Sequence, residues 1–245
     1  MTMKNATEVL KKYNDRKIEF ESDRLFSLGD REVDEAVVPV RGDLVLISKR
    51  PTNDEHVFLL YCVRKALECG RSVELYTMGR ITAETVCRHL FSDGSWPTEI
   101  TQQSQLLWID DSVKRDKDLI EEMGEDDPPD LVCVMSCNRV LSANYFENET
   151  EDGENYYTNT LIFLQACKEL AEKMGFAVIA GLVHPRVADS RFSQKPYLED
   201  LHFIGRGVGD NADIILFPLE DELIIGKSPL TERSVLHETV LFGDR

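Results

Sequence analysis

The sequence predicts an α/β domain: a mostly parallel, twisted sheet with helices on both faces and an antiparallel extension at its C-terminal end. Three observations predict it. From residue 43 onward, apolar runs of strand length alternate with amphipathic runs of helix length, the pattern of strands joined by crossover helices. The run 130–135 is, after its leading Asp130, apolar without alternation, as strands covered on both faces are. A chain of 245 residues, 42% hydrophobic and 30% charged, is long enough to bury a full core without disulfides or metal.

Residues 6–13 predict a short helix, with Val9 and Leu10 on one side and Lys11 and Lys12 on the other. Residues 21–41 are charged and predict irregular structure packed across the edge of the domain. Strand 43–47 then leads into helix 56–69, ended by Gly70 in a left-handed cap. Strand 72–77 is followed by helix 83–91, capped by Thr82. A turn at 94–97 precedes strand 106–110 and a charged helix over 114–123. Pro128 and Pro129 break the chain before strand 130–135. An acidic loop over 142–156 gives way to a long amphipathic helix, 158–174, whose buried stripe includes Leu161, Leu164, Ala171 and Met174. Gly175 closes it before strand 176–181. After a loop-rich stretch, 185–211, comes strand 212–218, and 222–227 with 238–242 predict a terminal antiparallel pair. No repeat of solenoid length is present.

Composition excludes several classes. No apolar run approaches the roughly 20 residues of a membrane span. The polar start, Met-Thr-Met-Lys-Asn-Ala, does not read as a secretory leader, so the expected location is cytoplasmic. Six cysteines are scattered without a Cys-x-x-Cys pair, which fits reduced, buried thiols rather than a zinc site. Cys133 and Cys137 have no zinc spacing. The five histidines, His56, His89, His184, His202 and His237, show none either; no metal and no cofactor are expected. The formal charge of −17 opposes the phosphate backbone of nucleic acid.

The segment 42–58 carries the most chemical information. It has the shape of a phosphate-binding loop: an apolar strand, a turn opened by Arg50 and Pro51, and the start of a helix. A working loop of this kind needs Gly-Lys-Ser/Thr, so that backbone N–H groups, an ammonium and a hydroxyl meet the phosphates and Mg²⁺. Here those places read Asp54, Glu55 and His56, and no Gly-Lys-Ser/Thr occurs in a strand-to-helix context anywhere in the chain. Two carboxylates where the β- and γ-phosphates would lie repel a nucleoside triphosphate.

Several strings in order resemble the C-terminal RecA-like motor domain of DnaB-type replicative helicases. They are Gly42-Asp-Leu-Val-Leu-Ile-Ser-Lys-Arg-Pro51, Ile81-Thr-Ala-Glu-Thr-Val-Cys-Arg-His-Leu90, Trp108-Ile-Asp-Asp-Ser112, Cys167 through Ala180, Asp210 through Phe217, and Ile224-Ile-Gly-Lys227. The resemblance implies a RecA-like fold over residues 25–245 and makes 1–24 a linker-like helix and extension, of the kind that packs on a neighbouring subunit.

It also implies which chemistry is missing. The family's catalytic glutamate would follow the second strand, where this chain has Gly79. The magnesium-associated aspartate would end the third main strand, where this chain supplies Met135 or Ser136. The polar sensor becomes Leu182-Val183. Lys227 matches the family, but the nearby trans-acting arginine becomes Pro229. Phosphoryl transfer rests on positioning and charge neutralisation, so losing lysine, base, metal ligand and arginine together predicts no hydrolysis.

The segment 144–154, at the place of a DNA-contacting loop, carries Glu147, Glu149, Glu151, Asp152 and Glu154 and no lysine or arginine. A solvated loop is the simple reading; mimicry of nucleic-acid charge toward a basic partner is the sharper one. Arg186, Arg191 and Lys195 form the best local basic patch, so direct nucleic-acid binding is expected to be weak or absent. Asp110-Asp111-Ser112 could form a metal site at a strand end, but the resemblance makes it a turn into a helix.

The expected function is that of a non-enzymatic pseudo-ATPase acting through protein–protein docking, with itself, a replicative helicase-type partner or another replication-linked protein. The alternative is a divergent ATP-binding helicase or nucleotide-binding regulator, in which Lys49, Arg50 and Lys227 supply the positive charge.

Overall fold

A computed structural model describes residues 23–49, 56–91, 102–125, 127–137, 140, 154–183, 198, 201, 207–219, 222–229 and 235–238. The expectations for the helix at 6–13, the turn at 94–97 and most of the acidic loop lie outside these residues.

Among the described residues, eight strands form one sheet: β1 (Leu44–Lys49), β2 (Val73–Tyr76), β3 (Leu107–Asp110), β4 (Leu131–Val134), β5 (Ala177–Val183), β6 (Ile214–Pro218), β7 (Glu222–Lys227) and β8 (Val235–Glu238). Their spatial order is β3-β2-β4-β5-β1-β6-β7-β8. Strands β1 to β6 pair in parallel, and β7 and β8 add on antiparallel. The helices are α1 (Arg31–Ala36), α2 (Val57–Glu68), α3 (Ala83–Phe91), α4 (Asp116–Met123), α5 (Glu154–Met174) and a single turn, α6 (Val208–Asn211).

Because successive strand side chains point to opposite faces, the apolar runs feed two cores. Val45 and Ile47 of β1 join Val73, Leu131 and Ile179 under α2 and α3. Leu44 and Leu46 join Val132, Val178 and Phe217 under α4 and α5. This double coverage is why β4 is fully buried along its length. Helix α2 ends as expected at Gly70: Gly70 N–H donates to Leu67 and Arg71 N–H to Ala66, satisfying carbonyls the helix leaves open.

Four expectations are corrected. Within the described part of 21–41 the chain is irregular apart from α1, which Asp30 caps by accepting from the amides of Glu32 and Val33, but it is not a loose edge: Leu25, Phe26, Leu28, Val33 and Val37 are buried in the α2 core. Charges surrounding these apolar residues hid their regular burial. Helix α5 begins at Glu154, inside the segment assigned to the acidic loop. Strand β5 runs on through Leu182 and Val183, which pair with Ser48 and Lys49, so both lie within the sheet rather than after it. Among the described residues the last strand is Val235–Glu238, starting before the expected 238–242 and with Glu222 opposite Glu238; residues 239–242 lie outside those described.

At the amino ends of the strands, Lys168 of α5 locks β1 to β6. Its ammonium donates to the Gly42 carbonyl (2.7 Å) and pairs with Asp213 (2.7 Å), whose carboxylate also accepts from Leu44 N–H (2.8 Å).

Candidate functional site

In a parallel sheet of this kind, ligands bind beyond the carboxyl ends of the strands. Here that edge gathers the end of β1, the start of α2 and the residues following β2, β3 and β4. Of the residues singled out in the sequence, Arg50, Pro51, Asp54, Glu55, Arg186, Arg191 and Lys195 lie outside the described residues. His56, Gly79, Met135, Ser136 and Lys227 are placed.

His56 is half-buried at the amino end of α2 and makes no side-chain cap bond there. The first turn of α2 carries no acidic residue.

After β2 the chain makes a tight inverted turn. Thr77 C=O accepts from Arg80 N–H (3.1 Å), and both central residues have positive φ, Met78 at 52° and Gly79 at 66°. Positive φ at both positions is the backbone of a type I′ turn. It suits Gly79 and is uncommon for methionine. The Met78 side chain is fully buried, and its packing in the α4–α5 core offsets the backbone cost. Thr77 is also buried; its hydroxyl donates to Ile81 C=O (2.8 Å) and its N–H to Asp110 C=O (2.9 Å). A β-carbon at Gly79 would lie 2.9 Å from Val113 Cγ2. The residues following β2 are therefore a fixed turn roofed by a valine.

After β4, Met135 turns into the core beneath α2. Its carbonyl oxygen would lie 2.2 Å from a β-carbon on Gly181, so β4 and β5 approach closely because Gly181 lacks one. Cys137 Sγ donates to the Gly181 carbonyl (2.9 Å) and fixes the same approach. Ser136 is buried, as is Ser48 near the end of β1, and neither hydroxyl has a hydrogen-bond partner among the described residues. Buried hydroxyls left in this way cost stability, and both stand beside β5 at the carboxyl ends of the strands.

Asp110 and Asp111 are engaged in structure. Asp110 accepts from Ser112 N–H (2.8 Å) and Oγ (2.6 Å) and pairs with Lys114 (2.8 Å). Burial pushes its carboxyl up, but the hydrogen bonds from Lys114 and Ser112 outweigh this and hold it below the usual carboxylate range. Asp111 accepts from Ala83 N–H (3.0 Å) and so caps α3 together with Thr82. Among the described residues, no group of three or more His, Cys, Asp or Glu side chains is placed to hold a metal ion.

Lys227, at the end of β7, donates to the carbonyls of Gly209 (3.1 Å) and Asp210 (3.2 Å). It thus satisfies backbone of α6, as cations at helix C-termini do. The next residue, Ser228, hydrogen-bonds the Ala36 carbonyl and ties β7 to α1. Sequence reasoning missed Ser48, Thr77, Met78 and Val113. A Met-Gly pair directly after a strand was the available sign of the inverted turn.

This strand order, with helices on both faces, defines a RecA-like ATPase-type fold. The chain has the fold of DnaB-type helicase domains. It superposes on a DnaB-like replicative helicase, solved in a study of its interactions with primase, with a TM-score of 0.68 and 15% identity over 96% of this chain and 64% of that one. It thus spans less than two thirds of that helicase's length. A second solved structure, an isolated ATPase domain, matches with a TM-score of 0.64 and 17% identity, covering 96% of this chain and 94% of that one. The RadB recombinase matches at 0.55 and 15% identity, over 86% and 93%. No protein-family model matches the sequence, and no curated protein matches it.

Proposed function

We propose that this chain is a RecA-fold pseudo-ATPase that acts by docking to other proteins in DNA replication or a related process. The observation that carries the reading is the Met78–Gly79 turn. Hydrolysis needs a polar side chain to position the attacking water, a glutamate in the family the sequence resembles. The chain offers there a glycine at φ 66° with Val113 Cγ2 against its open side.

Other features support the same reading. Met135 is buried among apolar side chains where a magnesium-associated carboxylate would stand. Lys227 spends its ammonium on two backbone carbonyls. Asp54 and Glu55 place negative charge in the loop that would carry a triphosphate. The fold shared with a DnaB-like replicative helicase supports docking to a copy of itself or to a replicative helicase-type partner.

The test is a thermal-shift titration with Mg-ATP beside a phosphate-release assay. A ligand at 100 times its dissociation constant stabilises the folded state by about 2.7 kcal/mol. No shift and no released phosphate are expected. A saturable shift with turnover would establish the divergent-ATPase alternative.

A further inference from the structure

Strand β3 is the outer strand of the sheet: among the described residues it pairs with β2 alone. An outer strand presents backbone N–H and C=O groups that can accept another strand, and proteins ordinarily blunt such edges. This one carries a tryptophan. Trp108 is 55% exposed.

Trp108 stands in register with Glu74 of β2, which stands in register with Val132 of β4. Register partners in a parallel sheet share a face, so Trp108 and Glu74 are neighbours on the α4 side. Beside Glu74 opens a cleft of about 530 Å³, lined by Glu122, Met123, Glu125, Asp127, Pro128 and Pro129. It lies at the amino end of β4, away from the candidate nucleotide edge.

The cleft is anionic and mostly uncompensated. Lys114 pairs with Glu122; among the described residues no lysine or arginine pairs with Glu74, Glu125 or Asp127. The last turn of α4 has no basic residue, so its carbonyls add partial negative charge. Burial pushes the Glu74 carboxyl up; the Tyr76 hydroxyl opposes this, and Glu125 and Glu122 reinforce it.

We propose that the β3 edge docks an extended, lysine- or arginine-bearing segment of a protein partner. The segment adds a strand alongside β3, and its cationic side chains pass over Trp108 into the cleft beside Glu74. Added strands gain affinity from main-chain hydrogen bonds and specificity from alternate side chains. With strands spaced about 4.8 Å apart, a long cationic side chain on the Trp108 face of the new strand reaches across the indole toward β2. Its stem covers the exposed ring and its charge meets the ring face and the carboxylates. A neutral or acidic segment would bury Trp108 but leave those carboxylates unanswered. The inference does not depend on the state of the nucleotide site.

The test titrates the full chain into a fluorescent peptide alternating lysine and valine, followed by anisotropy. Controls are the glutamate–valine counterpart and the basic peptide N-methylated on alternate amides. Binding of the basic peptide is expected, weakened about tenfold or more by E74Q/E125Q, by W108A and by N-methylation, and absent for the acidic peptide. Far-ultraviolet circular dichroism and melting curves check that the variants fold. No binding, or equal affinity of wild type and variants, overturns the proposal. Self-association in sedimentation that W108A abolishes also overturns it, by making a second copy the occupant.

Discussion

Val113 Cγ2 lies 2.9 Å from where a β-carbon on Gly79 would sit, and Gly79 holds φ at 66°. Contacts that short force something to move, and a left-handed backbone costs an L-residue about 1–2 kcal/mol. Gly79→Ala is therefore expected to destabilise the fold by about 1–3 kcal/mol. Adding Val113→Ala should return the steric part and leave the backbone part, which a double-mutant cycle in urea would separate. Gly79→Glu should lower stability at least as much without producing hydrolysis.

Restoring the loop is a second way in. Asp54→Gly, Glu55→Lys and His56→Thr together would recreate Gly-Lys-Thr at the start of α2. This variant is expected at most to recover nucleotide binding, seen as a thermal shift with Mg-ATP. Turnover should stay at background because no carboxylate stands in the turn after β2. Measurable phosphate release would place the base elsewhere and undo the pseudo-ATPase reading.

Glu74 sets a pH dependence whose sign follows from its surroundings. Burial, with help from Glu125 and Glu122, holds its carboxyl above the ordinary value. A raised acid favours folding while protonated, so this contribution is complete below the ordinary glutamate range, near 4.3, and is lost as pH rises through the folded value. Glu74→Gln removes the charge and keeps an acceptor for the Tyr76 hydroxyl, which donates over 3.1 Å. The variant should be more stable than wild type at pH 7 by a few tenths of a kcal/mol, solvent screening being large at a half-exposed site. The advantage should vanish near pH 3. Equal melting temperatures at both pH values would refute it.

How much was legible in the chain follows from how local each cause is. The apolar run of β4 and the amphipathic pattern of α3 announced themselves, and α3 falls at Ala83–Phe91 as expected. The terminal strand was displaced because Val235–Glu238 is short and bears His237 and Glu238; its register comes from β7, which no local pattern encodes. Helix α1 was missed because it is six residues long and buries only Val33, too little to show a helical pattern. Gly79 was legible as a glycine just after a strand, where a turn is expected. The valine above it was not, since Val113 arrives from beyond β3, after an intervening helix and strand.

The middle of the sheet has a consequence for how the polypeptide is made. Leu44 donates its amide to Asp213, 169 residues further on, and β1 is flanked by β5 and β6. A nascent chain thus emerges with a central apolar strand unable to find either neighbour until the last third has been translated. Pairings this distant are slow to form, and the waiting strand is open to aggregation meanwhile. Expression should gain more from slower translation or a holdase chaperone than from any surface change, and fragments ending before Ala177 should be insoluble.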